Sequence, residues 1–177
     1  MGRFERAFYE LLLWHFCGQS QHKLLLATPW INGGYTYATD GKMALRVQGD
    51  LWKPTVLVIG DTNHVREWPE RRPAGLMDGS MFRYDPDTSG WLPVPVVNRQ
   101  LAIDDDHESY EDPKHDVKLG ENWYDANRVY WFSLIPGCRV LPREYPLPAL
   151  FSFEHGEGLL TALDPKMRGE EKAKPLK

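Results

Sequence analysis

The apolar positions at the start of the chain recur at helical spacing and predict an amphipathic helix over residues 4–16. Positions i, i+4, i+7, i+8 and i+11 lie on one face of a helix. The expected buried stripe therefore comprises Phe4, Phe8, Leu11, Leu12 and His15. Charged residues lie off this stripe, and Gly18 is a plausible C-terminal stop.

Alternating apolar and polar positions over residues 35–39 and 42–47 flank an Asp-Gly pair and predict a β-hairpin. The turn needs a polar residue and one that accepts a positive φ angle. Thr39, Asp40 and Gly41 are therefore interpreted as turn residues that mark the fold, and not as catalytic residues. The preceding segment, residues 29–34, is predicted to be a second turn, because Asn-Gly-Gly accepts positive φ.

The rest of the chain predicts short strands, one more helix and several polar loops. The second helix is expected over residues 121–134, with Asn122 as its cap and Pro136-Gly137 as its stop. Strands are expected at 23–27, 54–59, 80–84, 91–97, 100–103, 138–141, 149–153 and 158–163. Pro93 and Pro95 make segment 91–97 an edge strand. Exposed loops are expected at 63–79 and 104–116, and the EHGE turn is expected to expose His155.

These elements indicate an α+β fold with antiparallel sheets and two helices on one face. It is built from two pseudo-repeated helix-plus-β-hairpin units. The 177 residues, of which 42% are hydrophobic, fit a single domain over residues 1–165 and a charged tail over 166–177. No apolar run approaches the ~20 residues of a membrane helix. The expected location is the cytoplasm, where Cys17 and Cys138 would be free, buried thiols.

The segment TPWINGGYTYATDGKMALRV resembles the sliding-clamp family, the ring-shaped processivity factors of bacterial DNA polymerase III. Residues 37–41, followed by Met43-Ala44-Leu45, fit its strand–turn–strand arrangement. Residues 122–126, 148–153 and 158–165 resemble its closing helix and hairpin. The resemblance covers residues 3–49 and 120–168. It implies a DNA-clamp-like fold and a non-enzymatic role in DNA metabolism or on replication proteins. The small, truncated pattern suggests a phage or mobile-element origin.

In that family, helices line the central hole and present cations to DNA. The corresponding candidates here are Arg3, Arg6 and Arg128, while Arg66, Arg71 and Arg72 lie in a loop beside Trp68. Acidic neighbours on both helices and a net charge of −4 oppose strong phosphate binding. The chain has room for one domain where bacterial clamps have three, so encircling DNA would require a homo-oligomer.

Two alternatives remain open. The first is a protein-interaction or inhibitor module that does not bind DNA. The second, less favoured, is a metal-dependent enzyme that uses the acidic segment 104–116, although this segment lacks the spacing of a calcium loop. No nucleophile–base set or nucleotide-binding motif is present in the sequence. Neither a catalytic residue, a metal nor a cofactor is expected.

Overall fold

The computed structural model describes residues 1–17, 28–51, 80–83, 89–97 and 116–165. These residues form two α-helices and nine strands with mostly antiparallel pairing, which confirms a mixed α+β class. The chain divides into two compact units. Unit 1 comprises residues 1–86 with 155–157, and unit 2 comprises residues 87–154 with 158–177. The predicted single domain and the pseudo-repeat stay predictions.

The described residues of unit 1 include one α-helix and a three-stranded antiparallel meander. Helix α1 spans Arg3–His15 and packs against the central strand β2. The three strands are β1 (Trp30–Asn32), β2 (Tyr35–Thr39) and β3 (Met43–Gln48). Between β1 and β2, Gly33 and Gly34 have φ angles of +57° and +79°, as a tight hairpin turn requires. Strand β1 therefore occupies half of the segment that was predicted to be a turn.

The buried face of α1 differs from the predicted stripe. The bounds of α1 agree with the prediction within one residue. The helix buries Tyr9, Leu12 and Leu13, however, and Phe16 at its C-cap is also buried. Of the predicted stripe only Leu12 is buried, whereas Phe4 and Leu11 are exposed. The helix carries apolar residues on both sides, and two different sets satisfy a helical spacing. Packing against β2 selects the set that spacing alone did not identify.

Thr36 is a fully buried polar residue in the middle of β2. Its hydroxyl donates to the Gly49 carbonyl at 2.7 Å and accepts from the Leu51 N–H at 2.9 Å. The side chain thereby anchors the chain that leaves β3. Both backbone groups would otherwise lack this partner. The hydroxyl therefore contributes more to the free energy of unfolding than one ordinary hydrogen bond does.

We expect Thr36→Val to lower the free energy of unfolding by about 2–3 kcal/mol, because the isosteric side chain leaves both backbone groups unpaired. Urea titration followed by circular dichroism would measure this change. Thr36→Ser keeps the hydroxyl and is the matched control, with an expected loss of about 1 kcal/mol for the missing methyl group. If Val and Ser were equally destabilising, the hydrogen bonds would not be the cause.

In the part of unit 2 that the structure describes, four strands form one layer, two more form a separate hairpin, and one segment is an α-helix. Strands β9, β8, β7 and β4 lie next to each other in that order, and β5 and β6 form the hairpin. The elements are β4 (Leu92–Pro93), β5 (Asp116–Leu119), β6 (Asn122–Asp125), α2 (Ala126–Ser133), β7 (Arg139–Leu141), β8 (Ala149–Phe153) and β9 (Gly156–Leu160). Among the described strands, β4 lies at the end of the order, which agrees with the predicted edge position.

The second helix begins five residues later than predicted. Asn122–Asp125 forms β6, paired with Asp116–Leu119, and α2 begins only after Asp125. The Asp125 carboxylate accepts the N–H groups of Asn127 and Arg128 at 2.9 and 3.2 Å, so Asp125 is the N-cap. The side chain of Asn122 instead donates to the Arg143 carbonyl at 2.6 Å. The helix ends at Ser133, one residue before the predicted Leu134 and ahead of Pro136-Gly137.

The remaining strand predictions have mixed outcomes. Strands β2 and β8 have the predicted bounds, and β7 begins one residue late. Strand β9 begins two residues before and ends three residues before the predicted segment. The strand predicted over 80–84 is wrong, because Ser80–Phe82 is a single 3-10 turn. Of the strand predicted over 91–97, only Leu92–Pro93 is a strand. The predictions for 23–27, 54–59, 63–79, 100–103, 104–115 and 166–177 lie outside the described residues.

Candidate interaction surface

The ATDG turn between β2 and β3 is held by its own side chains. The Thr39 hydroxyl donates to the Met43 carbonyl at 2.6 Å and accepts the Gly41 N–H at 3.0 Å. The Asp40 carboxylate accepts the N–H groups of Lys42 and Met43, both at 2.7 Å. Gly41 has a φ angle of +92°. All three predicted turn residues therefore have structural roles, and the loop has three residues instead of the predicted two.

We expect Asp40→Ala to lower the free energy of unfolding by about 1–2 kcal/mol, because two backbone N–H groups lose their acceptor at a partly exposed turn. Thermal and urea unfolding would measure the change. Asp40→Asn keeps the accepting oxygen and should retain most of the stability. A loss as large for Asn as for Ala would assign the effect to the charge of Asp40 instead of its hydrogen bonds.

The described arginines that were predicted to face DNA are mostly engaged within the protein. Arg6 pairs with Glu10 at 2.8 Å and also donates to the Asp50 carbonyl at 2.9 Å. Arg128 pairs with the N-cap carboxylate of Asp125. Arg3 is exposed at the start of α1. Arg66, Arg71 and Arg72 lie outside the described residues. Arg6 and Arg128 are therefore each paired with a carboxylate of their own helix or its cap, and the DNA-facing role of the three arginines stays a prediction.

Both cysteines are free and buried, as predicted. Burial raises the pKa of each thiol to about 12, and the nearby Asp40 carboxylate contributes to the shift at Cys17. Because only the thiolate is a strong nucleophile, neither side chain is activated at neutral pH. The described residues also include no group of three or more His, Cys, Asp or Glu side chains that could hold a metal ion.

Unit 1 contains a cluster of aromatic rings around Arg46. The Arg46 guanidinium lies 4.8 Å from the centre of the Tyr35 ring and 4.5 Å from that of Phe82, and it pairs with Glu157. Tyr37 contacts Phe82 edge-on and stacks on Trp30. The guanidinium thus has a carboxylate partner and two ring faces. This cluster was not predicted, because its members are distant in the chain and Phe82 was assigned to a strand.

His155 is less exposed than its position in a turn suggested. Its side chain is 18% exposed, and its ring meets that of Tyr9 edge-on at 5.8 Å. Its Nε2 atom lies 3.8 Å from the Glu5 carboxylate. Glu5 itself accepts the Gly2 N–H at 2.5 Å, and this hydrogen bond, with a smaller effect from His155, lowers the pKa of the exposed Glu5 carboxyl group. These contacts hold the first turn of α1.

The outer face of α1 is apolar and exposed. Phe4, Leu11 and Trp14 have 91%, 61% and 39% of their surface exposed, and Ala7 between them is also exposed. Positions 4, 7, 11 and 14 follow the three-and-four spacing of a single stripe along a helix. We call these four residues the outer stripe. It lies opposite the buried face formed by Tyr9, Leu12, Leu13 and Phe16.

The outer stripe is unlike the other exposed apolar side chains. Those elsewhere in the described residues are dispersed over short strands and turns, and single exposed apolar residues are ordinary. They are Met1, Ile31, Met81, Leu92, Val96, Leu134, Tyr145 and Leu147. On α1 the exposed positions fall within eleven residues, a length of roughly 15 Å. This surface was not predicted, because the helical spacing assigned Phe4 and Leu11 to the core.

Within the described residues, no helix combines the length and the apolar character needed to cross a membrane. Comparison of the chain with protein families, with curated proteins and with solved structures finds no match.

Proposed function

We propose that this protein is a non-enzymatic protein-binding module whose binding surface is the outer stripe of α1. One observation carries the proposal: the helix is apolar on two opposite faces, and only one of them is buried. From the exposed fractions, the three large side chains present roughly 400 Å² of apolar surface. An area of this size is comparable to the largest apolar patch that a typical monomeric protein exposes, and such patches are often functional.

The way α1 is held favours recognition by a partner. Its inner face is packed in unit 1, so the helix exists before binding and little ordering entropy opposes association. A partner can then contact anchors at spacings typical of helix recognition. No described cluster of reactive or metal-binding side chains offers a comparable basis for catalysis. A binding role is therefore better supported than an enzymatic one.

The resemblance to sliding clamps adds to the proposal that the partner acts in DNA metabolism, for example a replication protein of a phage or mobile element. Direct DNA binding has less support. Cationic side chains raise the affinity for DNA when they neutralise phosphates and release counterions. Arg6 and Arg128 are less suited to this role, because both already pair with carboxylates. A clamp-like pseudo-repeat, encirclement of DNA and binding through Arg3, Arg6 and Arg128 stay predictions. Salt-sensitive binding of duplex DNA in an anisotropy titration would support them.

Photo-crosslinking tests the protein-binding proposal. A benzophenone amino acid replaces Ala7 on the outer stripe or, as the matched control, the exposed Glu121 in the turn after β5. In cells that express the full chain, we expect a discrete adduct from position 7 and none from position 121. The adduct should disappear when Leu11→Glu is added, because the charge interrupts the apolar stripe. Absence of any adduct from position 7 would refute the proposal.

A further inference from the structure

We propose that the outer stripe of α1 binds the same stripe on a second copy of this chain, with the two helices side by side and parallel. This inference rests on the proposed function, since it names the partner of that surface. It follows from three properties of α1: the spacing of its exposed apolar residues, the side chains that flank them, and the area that they offer.

The spacing matches a coiled-coil seam. With Phe4 and Leu11 in position a of a heptad, Ala7 and Trp14 fall in position d. The core residues Tyr9 and Phe16 then fall in position f, on the opposite side of the helix. The seam therefore faces away from the core of unit 1. A stripe with this spacing is complementary to itself, as a two-fold symmetric interface requires.

The flanking residues favour a parallel arrangement. Arg3 and Glu10 lie in position g, and Phe8 and His15 lie in position e. In parallel helices, g faces the following e of the other copy, so Arg3 would meet the ring of Phe8 twice. Glu10, which pairs with Arg6 of its own helix, would lie beside the imidazole of His15. In antiparallel helices, g faces g, and the two Glu10 carboxylates would lie near each other with a repulsive interaction.

The available area indicates a weak and reversible dimer. Roughly 400 Å² per copy is about half of what a standard stable interface buries. The helix is already formed on its own core, however, so association orders few groups. We therefore expect a mixture of monomer and dimer that shifts with concentration, and not an obligate dimer.

Sedimentation equilibrium of the full chain between about 20 µM and 1 mM tests the dimer, a range suited to small, transient interfaces. The apparent mass should rise from 20.5 kDa toward twice this value. Leu11→Glu should remain at the monomer mass at every concentration. Leu147→Glu, at another exposed leucine in unit 2, is the control and should associate like the unmodified chain. Circular dichroism would verify that both variants are folded.

The arrangement of the helices is tested with a spin label on Gly2→Cys. The native thiols remain unmodified because they are buried. Labelled chain is mixed with isotopically labelled chain that carries no spin label, so that any line broadening is intermolecular. Broadening of the amides of residues 3–7 indicates parallel helices, and broadening of residues 14–17 would overturn the parallel arrangement.

Three other results would overturn the inference. The first is a strict monomer at 1 mM. The second is a dimer that persists in Leu11→Glu, because it would form through another surface. The third is a crosslinked adduct at position 7 with a mass other than that of two chains, which would leave the protein-binding proposal intact and assign the stripe to a different protein. Absence of any adduct would instead refute the proposed function.

Discussion

We expect Phe132→Ala to lower the free energy of unfolding by about 3–5 kcal/mol, the usual effect of truncating a buried aromatic side chain. Phe132 is fully buried in α2 and stacks on Phe151 of β8 with ring centres 3.7 Å apart. The substitution removes the contact between the helix and the strand and leaves a cavity. Domains of this size are typically stable by 5–15 kcal/mol, so the variant would lose a large part of its stability.

Urea titration followed by circular dichroism would measure this loss, and two variants control the interpretation. Phe132→Leu keeps most of the volume and should be destabilised clearly less than Ala, which also provides a folded variant if Ala does not fold. Leu134→Ala removes a partly exposed side chain just after the same helix and should change stability by less than about 1 kcal/mol. A loss below 1 kcal/mol for Phe132→Ala would contradict the stacked core.

The second large effect is a loss of stability at alkaline pH caused by the two buried thiols. Burial raises the pKa of Cys17 and of Cys138 from the ordinary value of 9.0 to about 12 in the folded protein. A raised pKa means that the unfolded chain releases its thiol protons first. The contribution to stability is therefore complete below pH 9 and is lost as the pH rises from 9 toward 12. The slope is about 1.4 kcal/mol per pH unit for each thiol.

Comparison with the double variant Cys17→Ala, Cys138→Ala isolates this effect. Tyr124, whose pKa is also raised by burial, is present in both proteins and cancels in the difference. Between pH 8 and pH 10 the unmodified chain should lose about 3 kcal/mol more than the variant. Urea titrations at several pH values under reducing conditions would measure it. Parallel pH profiles for the two proteins would show that the thiols titrate alike in the folded and unfolded states.

Local sequence signals predicted those elements whose limits are set by neighbouring residues. The bounds of β2 and β8 were predicted correctly, because alternation and turn residues define them on both sides. The turn at Asp40-Gly41 was predicted for the same reason, since its hydrogen bonds join residues at most four apart. The end of α2 followed from Pro136-Gly137. These predictions needed no knowledge of how distant segments pack.

Predictions failed where distant segments compete with the local pattern. Residues 122–125 have a spacing compatible with a helix, but pairing with β5 makes them a strand. The face of α1 that is buried depends on β2, because both sides of the helix are apolar. The candidate interaction surface was not predicted for this reason. Once Phe4 and Leu11 were assigned to the core, α1 had no exposed apolar stripe that could indicate a binding surface. The surroundings of Arg46 likewise depend on residues far apart in the sequence.

The proline of β4 also limits how this protein could aggregate. Strand β4 is the last strand in its layer among the described residues, and such an edge can template fibril growth by pairing with another chain. Pro93 within the strand and Pro95 beyond it have no N–H group, so an incoming strand would find alternate donors missing. Cross-β stacking from this edge is therefore obstructed, even though the neighbouring Val96 is almost fully exposed. Fibril formation, if it occurs under stress, should begin from segments other than β4.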